Sequence, residues 1–208
     1  MTHARPEFIY FDMGNVLMSF DHEQAFRQAA EIANVDIAFM RRFLVEEGRQ
    51  ESYEIGAINT EQLHREFCEQ TQTAPDLNLL KNALSDIFEL NLSLVPFVAQ
   101  LRAANLSLGI LSNTCDAHWE YIRNRFTLIR ECFSVNVLSY ETQCAKPDRK
   151  IYELAAEKVK CEPAKIFFVD DLEVNVQGAQ KAGLDAVQYT TAPELASQLY
   201  ARGIQLNF

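Results

Sequence analysis

Three apolar segments of this sequence each end in polar residues that suit chemistry on a phosphate ester. Asp12 follows the first segment, Ser112 follows the second, and Asp170 and Asp171 follow the third. Lys146 lies between the second and third segments. If the segments are parallel strands of one sheet, ligands bind outside their carboxyl ends, where these side chains would meet. A nucleophile, a hydroxyl, a cation and a carboxylate pair in one place predict a magnesium-dependent phosphohydrolase.

The aspartates have both a chemical and a structural interpretation. A carboxylate at Asp12 can attack phosphorus and form an acyl phosphate, while Gly14 lets the backbone approach a ligand closely. Asp170 and Asp171 repel one another unless a cation offsets their charge, and Mg²⁺ prefers such oxygen ligands. Alternatively, Asp12 caps a turn and the pair caps the following helix, whose dipole favours negative charge at its N-terminus.

The remaining candidates suit phosphate binding. Ser112 and Asn113 offer a hydroxyl and backbone N–H groups at a helix N-terminus, a common phosphate site, although N-capping is the more frequent use of such residues. Lys146 can balance negative charge on the nucleophile and the phosphoryl group, although a lysine before a proline is usually a solvated loop residue. Asn175 can steady the acidic loop or be an ordinary helix residue.

The composition narrows the classes of function. Acidic residues outnumber basic ones by 29 to 19, which disfavours nucleic acid as a partner but not a small anionic metabolite. No apolar run approaches the ~20 residues of a membrane span, so we expect no membrane partner. Residues 1–6 lack the apolar region of a secretory signal, which predicts a cytoplasmic protein. The five cysteines include no C-x-x-C pair, which disfavours a disulfide framework and a zinc site.

The order of predicted elements indicates an α/β fold. After a first strand, apolar residues at helical spacing predict four helices, and from residue 94 onward helices alternate with buried strands. This alternation predicts a Rossmann-like parallel sheet with helices on both faces. We expect a core domain of residues 1–18 and 91–208 and an inserted four-helix cap domain of residues 19–90. The predicted strands are 7–12, 106–112, 134–139, 165–170 and 185–189, and the predicted helices are 22–33, 37–47, 61–70, 77–88, 94–103, 116–125, 148–159, 173–182 and 193–202.

Four motifs, taken in chain order, resemble those of the haloacid dehalogenase-like hydrolase superfamily, whose members are mostly phosphatases. The resemblance covers essentially the whole chain. The helical insertion is similar to that superfamily's helical cap, and Tyr53-Glu54-Ile55-Gly56-Ala57-Ile58 is similar to a segment common in such caps. The motifs are Phe-Asp-x-x-x-Val-Leu at 11–17, Leu-Ser-Asn-Thr at 111–114, Lys-Pro-Asp at 146–148 and Phe-Phe-Val-Asp-Asp-x-x-x-Asn-x-x-x-Ala at 167–179.

The resemblance implies a role for each motif. Asp12 would be the nucleophile, Ser112 would bind the phosphoryl group, and Lys146 would be the balancing cation. Mg²⁺ would be the cofactor. The implied ligands are Met13, Gly14, Ser112 and Asn113 for the substrate, and Asp12, the Gly14 carbonyl, Asp170 and Asp171 for the metal, with Asn175 in support.

One position departs from the superfamily pattern. Most of its phosphatases have a second aspartate two residues after the nucleophile, as general acid and base, and here that position is Gly14. The Asp-x-Gly-Asn-Val form resembles a branch that includes phosphatases acting on glucose 1-phosphate. General acid–base help is typically worth ~10²–10⁴-fold, so water, a substrate hydroxyl or a cap residue would have to replace it. His22 and His64 lie on predicted cap helices, and either can face the cleft.

Three functions therefore remain open at this stage. The first is an Mg²⁺-dependent phosphatase that hydrolyses a small phosphorylated metabolite, a sugar phosphate in particular, through an aspartyl-phosphate intermediate. The second is a catalytically weak or silent phosphate-binding protein, which the glycine at position 14 favours. The third is a hydrolytic 2-haloacid dehalogenase, which attacks carbon and needs no metal, and which the acidic pair Asp170 and Asp171 disfavours. The sequence leaves the oligomeric state open.

Overall fold

A computed structural model describes residues 5–206. Residues 1–4 belong to the segment whose composition predicts no secretory signal, and they lie outside the described residues. A π-helical turn spans Arg42–Glu46 and a 3₁₀ turn spans Pro163–Lys165. The other elements are β1 (Phe8–Phe11), β2 (Met18–Phe20), α1 (His22–Ala33), α2 (Ile37–Arg41), α3 (Arg49–Glu54), α4 (Thr60–Thr71), α5 (Leu77–Ser85), β3 (Phe88–Leu90), α6 (Val95–Ala103), β4 (Ser107–Ser112), α7 (Asp116–Arg125), α8 (Thr127–Cys132), β5 (Val135–Leu138), α9 (Ser139–Thr142), α10 (Arg149–Val159), β6 (Ile166–Asp170), α11 (Glu173–Lys181), β7 (Asp185–Gln188) and α12 (Ala192–Ala201).

Five strands form the parallel sheet, in the order β5–β4–β1–β6–β7. The first strand is central because all four of its residues are apolar and buried, as a strand covered on both faces requires. The chain fills one side of β1 with β4 and β5, and then crosses to fill the other side with β6 and β7. Ligands of such sheets bind at this reversal, outside the carboxyl ends of the strands.

Helices cover both faces of the sheet, as the sequence predicts. Alternate residues of β1 contribute to two separate hydrophobic clusters: Ile9 and Phe11 to one, and Phe8 and Tyr10 to the other. The first cluster contains residues of α6, α7, α8 and α12, and the second contains residues of α10 and α11. The α/β class with a parallel sheet is thereby confirmed.

The segment between β2 and β3 is helical and has its own apolar interior. Residues of α1 to α5 form a third hydrophobic cluster, which also includes Cys115 and Ala117 at the start of α7. The cap therefore packs directly on the core. Asn59 and Gln62 form a capping box at α4, and Asp36 caps α2 with a 2.7 Å bond from the Ala38 N–H.

The cap differs from the sequence prediction in three respects. The helix predicted over 77–88 ends at Ser85, because Phe88 instead pairs with Phe20 in the antiparallel ladder of β2 and β3. The helix predicted over 37–47 changes from α to π geometry after Arg41. A fifth helix, α3, follows Gly48, so the described cap contains five helices and not four.

The described residues contain no candidate membrane span. Among residues 5–206, every helix falls short of the length and apolar character that crossing a bilayer requires.

Candidate active site

The ends of β1 and β6 bring three carboxylates together. Phe11 pairs with Val169 in the parallel register, and the Asp12 N–H donates to the Val169 carbonyl at 2.8 Å. Asp12 and Asp170 therefore leave adjacent strands at the same edge of the sheet. Asp12, Asp170 and Asp171 each offer one carboxylate oxygen within 4.8 Å of the others. The acidic pair and the first aspartate, 158 residues away from Asp170 along the chain, thus share one site.

Lys146 lies between two of these carboxylates. Its ammonium contacts Asp12 Oδ1 at 2.8 Å and Asp170 Oδ2 at 2.6 Å, and its side chain is 1% exposed. The ammonium also lies over the Phe168 ring, 5.4 Å from the centroid. Lys146 is therefore a buried cation bonded to the predicted nucleophile and not a solvated loop residue.

The two oxygens of the Asp12 carboxylate have different surroundings. Oδ1 accepts a 2.7 Å bond from the Met13 N–H in addition to its contact with Lys146. Oδ2 receives no hydrogen bond from any residue within 5–206. One oxygen is thus fixed in place, while the other is free to react.

Asp170 and Asp171 differ in burial and in partners. Asp170 is fully buried, and besides Lys146 it accepts bonds from the Leu172 N–H at 2.9 Å and from the Asn175 amide at 3.0 and 3.2 Å. Asp171 is half-buried, and its carboxylate accepts one bond, from the Asn15 amide at 3.1 Å. Asn175 therefore orients Asp170, and Asp171 is the less constrained carboxylate.

The charges of the cluster do not balance. Among residues 5–206, three carboxylates, once ionised, face one ammonium, that of Lys146, which leaves an excess of negative charge in a buried place. Burial raises the pKa of Asp12, the Lys146 charge lowers it and the Asp170 charge raises it, with a net upward shift. Burial lowers the pKa of Lys146, but the two carboxylates outweigh this effect and raise it. Three oxygen donors with excess negative charge fit a hard divalent cation such as Mg²⁺.

The end of β4 and the loop after it form a second wall of the site. Ser112 is buried, and its hydroxyl makes one weak bond, at 3.4 Å to the Asn113 carbonyl, so it remains available to a ligand. The Asn113 side chain is fully used: its Nδ2 donates to the Lys146 carbonyl at 2.9 Å and its Oδ1 accepts from the Lys146 N–H at 2.8 Å. Asn113 thus positions the lysine, and its predicted contact with substrate would have to come from its backbone.

A small cleft of about 50 Å³ lies above these residues, between the core and the cap. Of the two cap histidines, His22 lines this cleft, whereas His64 bonds the Pro75 carbonyl at 2.8 Å and lines an apolar cavity inside the cap. The cleft is lined by Met13, Gly14, Ser112, Asn113 and Thr114 from the core side, together with Phe20, His22, Glu54, Phe88 and His118.

Three residues of the site were not predicted from the sequence: Asn15 beside Asp171, and Glu54 and His118 in the cleft. Asn15 lies within the Asp-x-Gly-Asn-Val motif, and Glu54 lies within the cap segment that resembles the superfamily, so motif membership was an available signal for both. Nothing in the sequence distinguishes His118 from an ordinary helix residue. Its place in the cleft follows from the packing of α7 against α5, where its Nε2 lies 3.2 Å from the Leu84 carbonyl.

Known proteins of similar sequence include two curated relatives. Pyrimidine 5'-nucleotidase YjjG of Escherichia coli K12 is 28% identical over 191 residues, which cover 86% of this chain and 83% of the relative. Acyl-CoA dehydrogenase family member 10 of Mus musculus is 29% identical over 99 residues, which cover 48% of this chain. That match spans only 9% of the mouse protein.

Solved structures share the fold over nearly the whole chain. A HAD family enzyme from Bacteroides thetaiotaomicron superposes with a TM-score of 0.79 at 25% identity, covering 94% of this chain and 98% of that one. The same enzyme in complex with magnesium and inorganic phosphate gives 0.78 at 22% identity, covering 89% and 94%. A 2-haloacid dehalogenase from Pseudomonas syringae gives 0.64 at 16% identity, covering 88% and 86%.

The family model for haloacid dehalogenase-like hydrolases matches residues 7–183, from the residue before β1 to two residues after α11. This span includes both strand ends that supply the carboxylates, the lysine between them and the whole helical cap. The sequence resemblance is thus confirmed at the level of the family, and the chain belongs to the haloacid dehalogenase-like hydrolases.

Proposed function

We propose that this hydrolase is an Mg²⁺-dependent phosphatase that cleaves small phosphate monoesters through an aspartyl phosphate at Asp12. The observation that carries this proposal is the cluster of Asp12, Asp170 and Asp171, whose oxygens lie within 4.8 Å of one another beside a buried lysine. A site that attacks carbon to displace a halide has no use for such a concentration of negative charge. A site that binds a divalent cation and a phosphate ester does.

The residues present can carry out the phosphoryl transfer. Oδ2 of Asp12 attacks phosphorus, while Lys146 and the Met13 N–H hold Oδ1 and keep the carboxylate oriented. The Ser112 hydroxyl donates to a phosphoryl oxygen, and the ammonium of Lys146 offsets charge that develops next to Asp12. Water then attacks phosphorus in the acyl phosphate and regenerates the Asp12 carboxylate.

Mg²⁺ would be held by Asp12, Asp170 and Asp171, and the Gly14 carbonyl remains a predicted ligand. When bound, the ion neutralises the excess carboxylate charge and the charge of the phosphoryl group, which otherwise repel one another. The magnesium and phosphate bound to the enzyme from Bacteroides thetaiotaomicron support this assignment.

A phosphate monoester is the substrate class we favour. The nucleotidase relative from Escherichia coli cleaves such esters by its name, and the Asp-x-Gly-Asn-Val motif suggests sugar phosphates as the first candidates. The small cleft above Ser112 suits a small leaving group. A cytoplasmic location remains a prediction from the sequence.

Two other functions compete with this proposal. Gly14 favours a phosphate-binding protein without turnover, because the nearby acid–base found in most related phosphatases is missing. A dehalogenase shares the fold, as the Pseudomonas syringae enzyme illustrates, but the acidic pair disfavours it.

Phosphate release from a panel of sugar phosphates, nucleoside monophosphates and p-nitrophenyl phosphate, with and without Mg²⁺, tests the proposal. Halide release from a 2-haloacid is measured in parallel. We expect metal-dependent phosphate release that Asp12→Asn abolishes, and no halide. Phosphate binding without turnover of any ester would favour the silent binding protein, and halide release would favour the dehalogenase.

A further inference from the structure

Position 14, two residues after the nucleophile, cannot supply a proton to the leaving group, because it is a glycine. Gly14 stands where most related phosphatases have their acid–base aspartate, and a Cβ there would lie 2.9 Å from Cε1 of Phe20. The aromatic ring from β2 thus occupies the space that a side chain at position 14 would need. The proton for the departing oxygen therefore has to come from water, from the substrate or from another side chain of the cleft.

Three titratable side chains line the cleft: His22, Glu54 and His118. Burial lowers the pKa of both histidines, to about 4 for His118, so each ring is neutral near pH 7. A neutral imidazole is a poor acid, and Nε2 of His118 is already directed at the Leu84 carbonyl. Glu54 is the one of the three whose environment favours the form that donates a proton.

The surroundings of the Glu54 carboxyl explain this preference. Burial raises its pKa, the Gln50 amide, which donates to Oε1 at 3.0 Å, lowers it, and the charge of Glu51 raises it. The other titratable groups close to it are the cleft histidines and the buried Cys115 thiol. Within residues 5–206 no lysine or arginine forms an ion pair with Glu54. Burial therefore favours the protonated form of the Glu54 carboxyl, and no ion pair within residues 5–206 opposes this effect.

Glu54 is also fixed relative to the catalytic loop. It is the last residue of α3, and its carbonyl accepts a bond from the Ser139 hydroxyl, which in turn accepts from the Thr114 N–H at 2.9 Å. Thr114 lies two residues after Ser112, so one serine joins the Glu54 backbone to the loop predicted to bind phosphate. Two residues further on, a Cβ at Gly56 would lie 2.2 Å from the Tyr140 carbonyl oxygen, which shows how closely this segment contacts the core.

We propose that Glu54 is the catalytic acid and base of the reaction, supplied by the cap in place of a residue at position 14. This inference rests on the phosphatase function proposed above. As Asp12 Oδ2 forms its bond to phosphorus and the ester P–O bond breaks, the Glu54 carboxyl gives its proton to the leaving oxygen. The resulting carboxylate then takes a proton from the water that attacks phosphorus. The water oxygen stays on the phosphate, the Asp12–phosphorus bond breaks, and Glu54 is protonated again.

The test compares two substrates whose leaving groups differ in their need for a proton. Glu54→Gln keeps the shape of the side chain and an oxygen for the Gln50 amide, but it can neither give nor take a proton in this way. We expect kcat/KM with an alkyl phosphate such as glycerol phosphate to fall by ~10²–10⁴-fold. With p-nitrophenyl phosphate, whose leaving group departs without protonation, we expect kcat/KM to change little. Slow hydrolysis of the acyl phosphate should then produce a burst of p-nitrophenol.

Glu31→Gln is the matched control, because Glu31 is an exposed glutamate of the cap helix α1 that does not line the cleft. We expect this variant to behave as the unmodified protein with both substrates. An equal loss of kcat/KM with both esters in Glu54→Gln, or no loss with either, would overturn the role of Glu54 while leaving the phosphatase function standing. A selective loss in His22→Asn instead of Glu54→Gln would also overturn it. If the unmodified protein cleaves no phosphate ester at all, the proposed function itself fails.

Discussion

Replacing Lys146 with methionine removes the ammonium that contacts both Asp12 and Asp170. The unbranched methionine fills much of the same space, so the main loss is the positive charge. Lys146 and Asp170 are 1% and 0% exposed, which leaves both carboxylates buried without a counter-charge. Breaking a buried ion pair by removing one partner typically costs ~3–5 kcal/mol. We expect the free energy of unfolding of Lys146→Met to fall by about that amount at pH 8.

The assay is urea unfolding followed by circular dichroism, in buffer with a chelator so that no bound metal replaces the missing charge. The matched control is Lys165→Met. Lys165 contacts Glu7 at the same 2.8 Å that separates Lys146 from Asp12, but these two side chains are 43% and 59% exposed. Because water screens exposed pairs, we expect little change in the control.

The pH dependence of this loss checks its electrostatic origin. Lys146 lowers the pKa of Asp12 against the upward effect of burial, so the pKa of that carboxyl rises further in Lys146→Met. A carboxyl with a raised pKa destabilises the fold when ionised and ceases to do so once protonated. The deficit relative to the unmodified protein should therefore shrink as the pH falls from about 8 to about 5.5. Equal losses in the two lysine variants, or a loss that is independent of pH, would refute this reasoning.

Two further predictions concern the contacts between cap and core. Because burial lowers the pKa of His118 from 6.5 to about 4, the unfolded chain takes up a proton before the folded one does. The free energy of unfolding should therefore decrease as the pH is lowered from 6.5 to about 4, by up to ~3 kcal/mol. Urea unfolding at several pH values should show a weaker pH dependence in His118→Gln. A slope unchanged by the substitution would exclude His118 as its source. Gly56→Ala should destabilise the protein more than Gly48→Ala: both glycines have positive φ, at 67° and 71°, but only at Gly56 would the new Cβ meet backbone, at Tyr140. Equal free energies of unfolding for the two variants would contradict the close cap–core contact.

The sheet and the position of the carboxylates could be predicted because they depend on local patterns. Buried strands such as β1 are continuous apolar runs, and parallel strands end at one edge of the sheet, so the residues that follow them meet there. Asp170, the last residue of β6, and Asp171 mark that edge directly. Apolar residues at helical spacing are a local pattern too, and they predicted the first cap helix with both its ends at the observed residues, His22 and Ala33.

The details of the cap could not be predicted because they depend on contacts between distant residues. The apolar spacing predicts that the helix of α5 continues to Phe88, but Phe88 instead pairs with Phe20 of β2. Glu54 reaches the cleft through its link to Ser139, 85 residues away along the chain. Asn113 likewise turns its amide toward the backbone of Lys146, 33 residues away. No periodicity within a short window contains this information.

Trapping of the covalent intermediate tests the central claim most directly. The protein is mixed with a radiolabelled phosphate monoester that it cleaves, the reaction is stopped with acid, and the labelled peptide is identified by mass spectrometry. An acyl phosphate on Asp12, released by hydroxylamine and missing in Asp12→Asn, is the predicted result. Turnover without a labelled protein, or a phosphoryl group on any other residue, would contradict the assignment of Asp12 as the nucleophile.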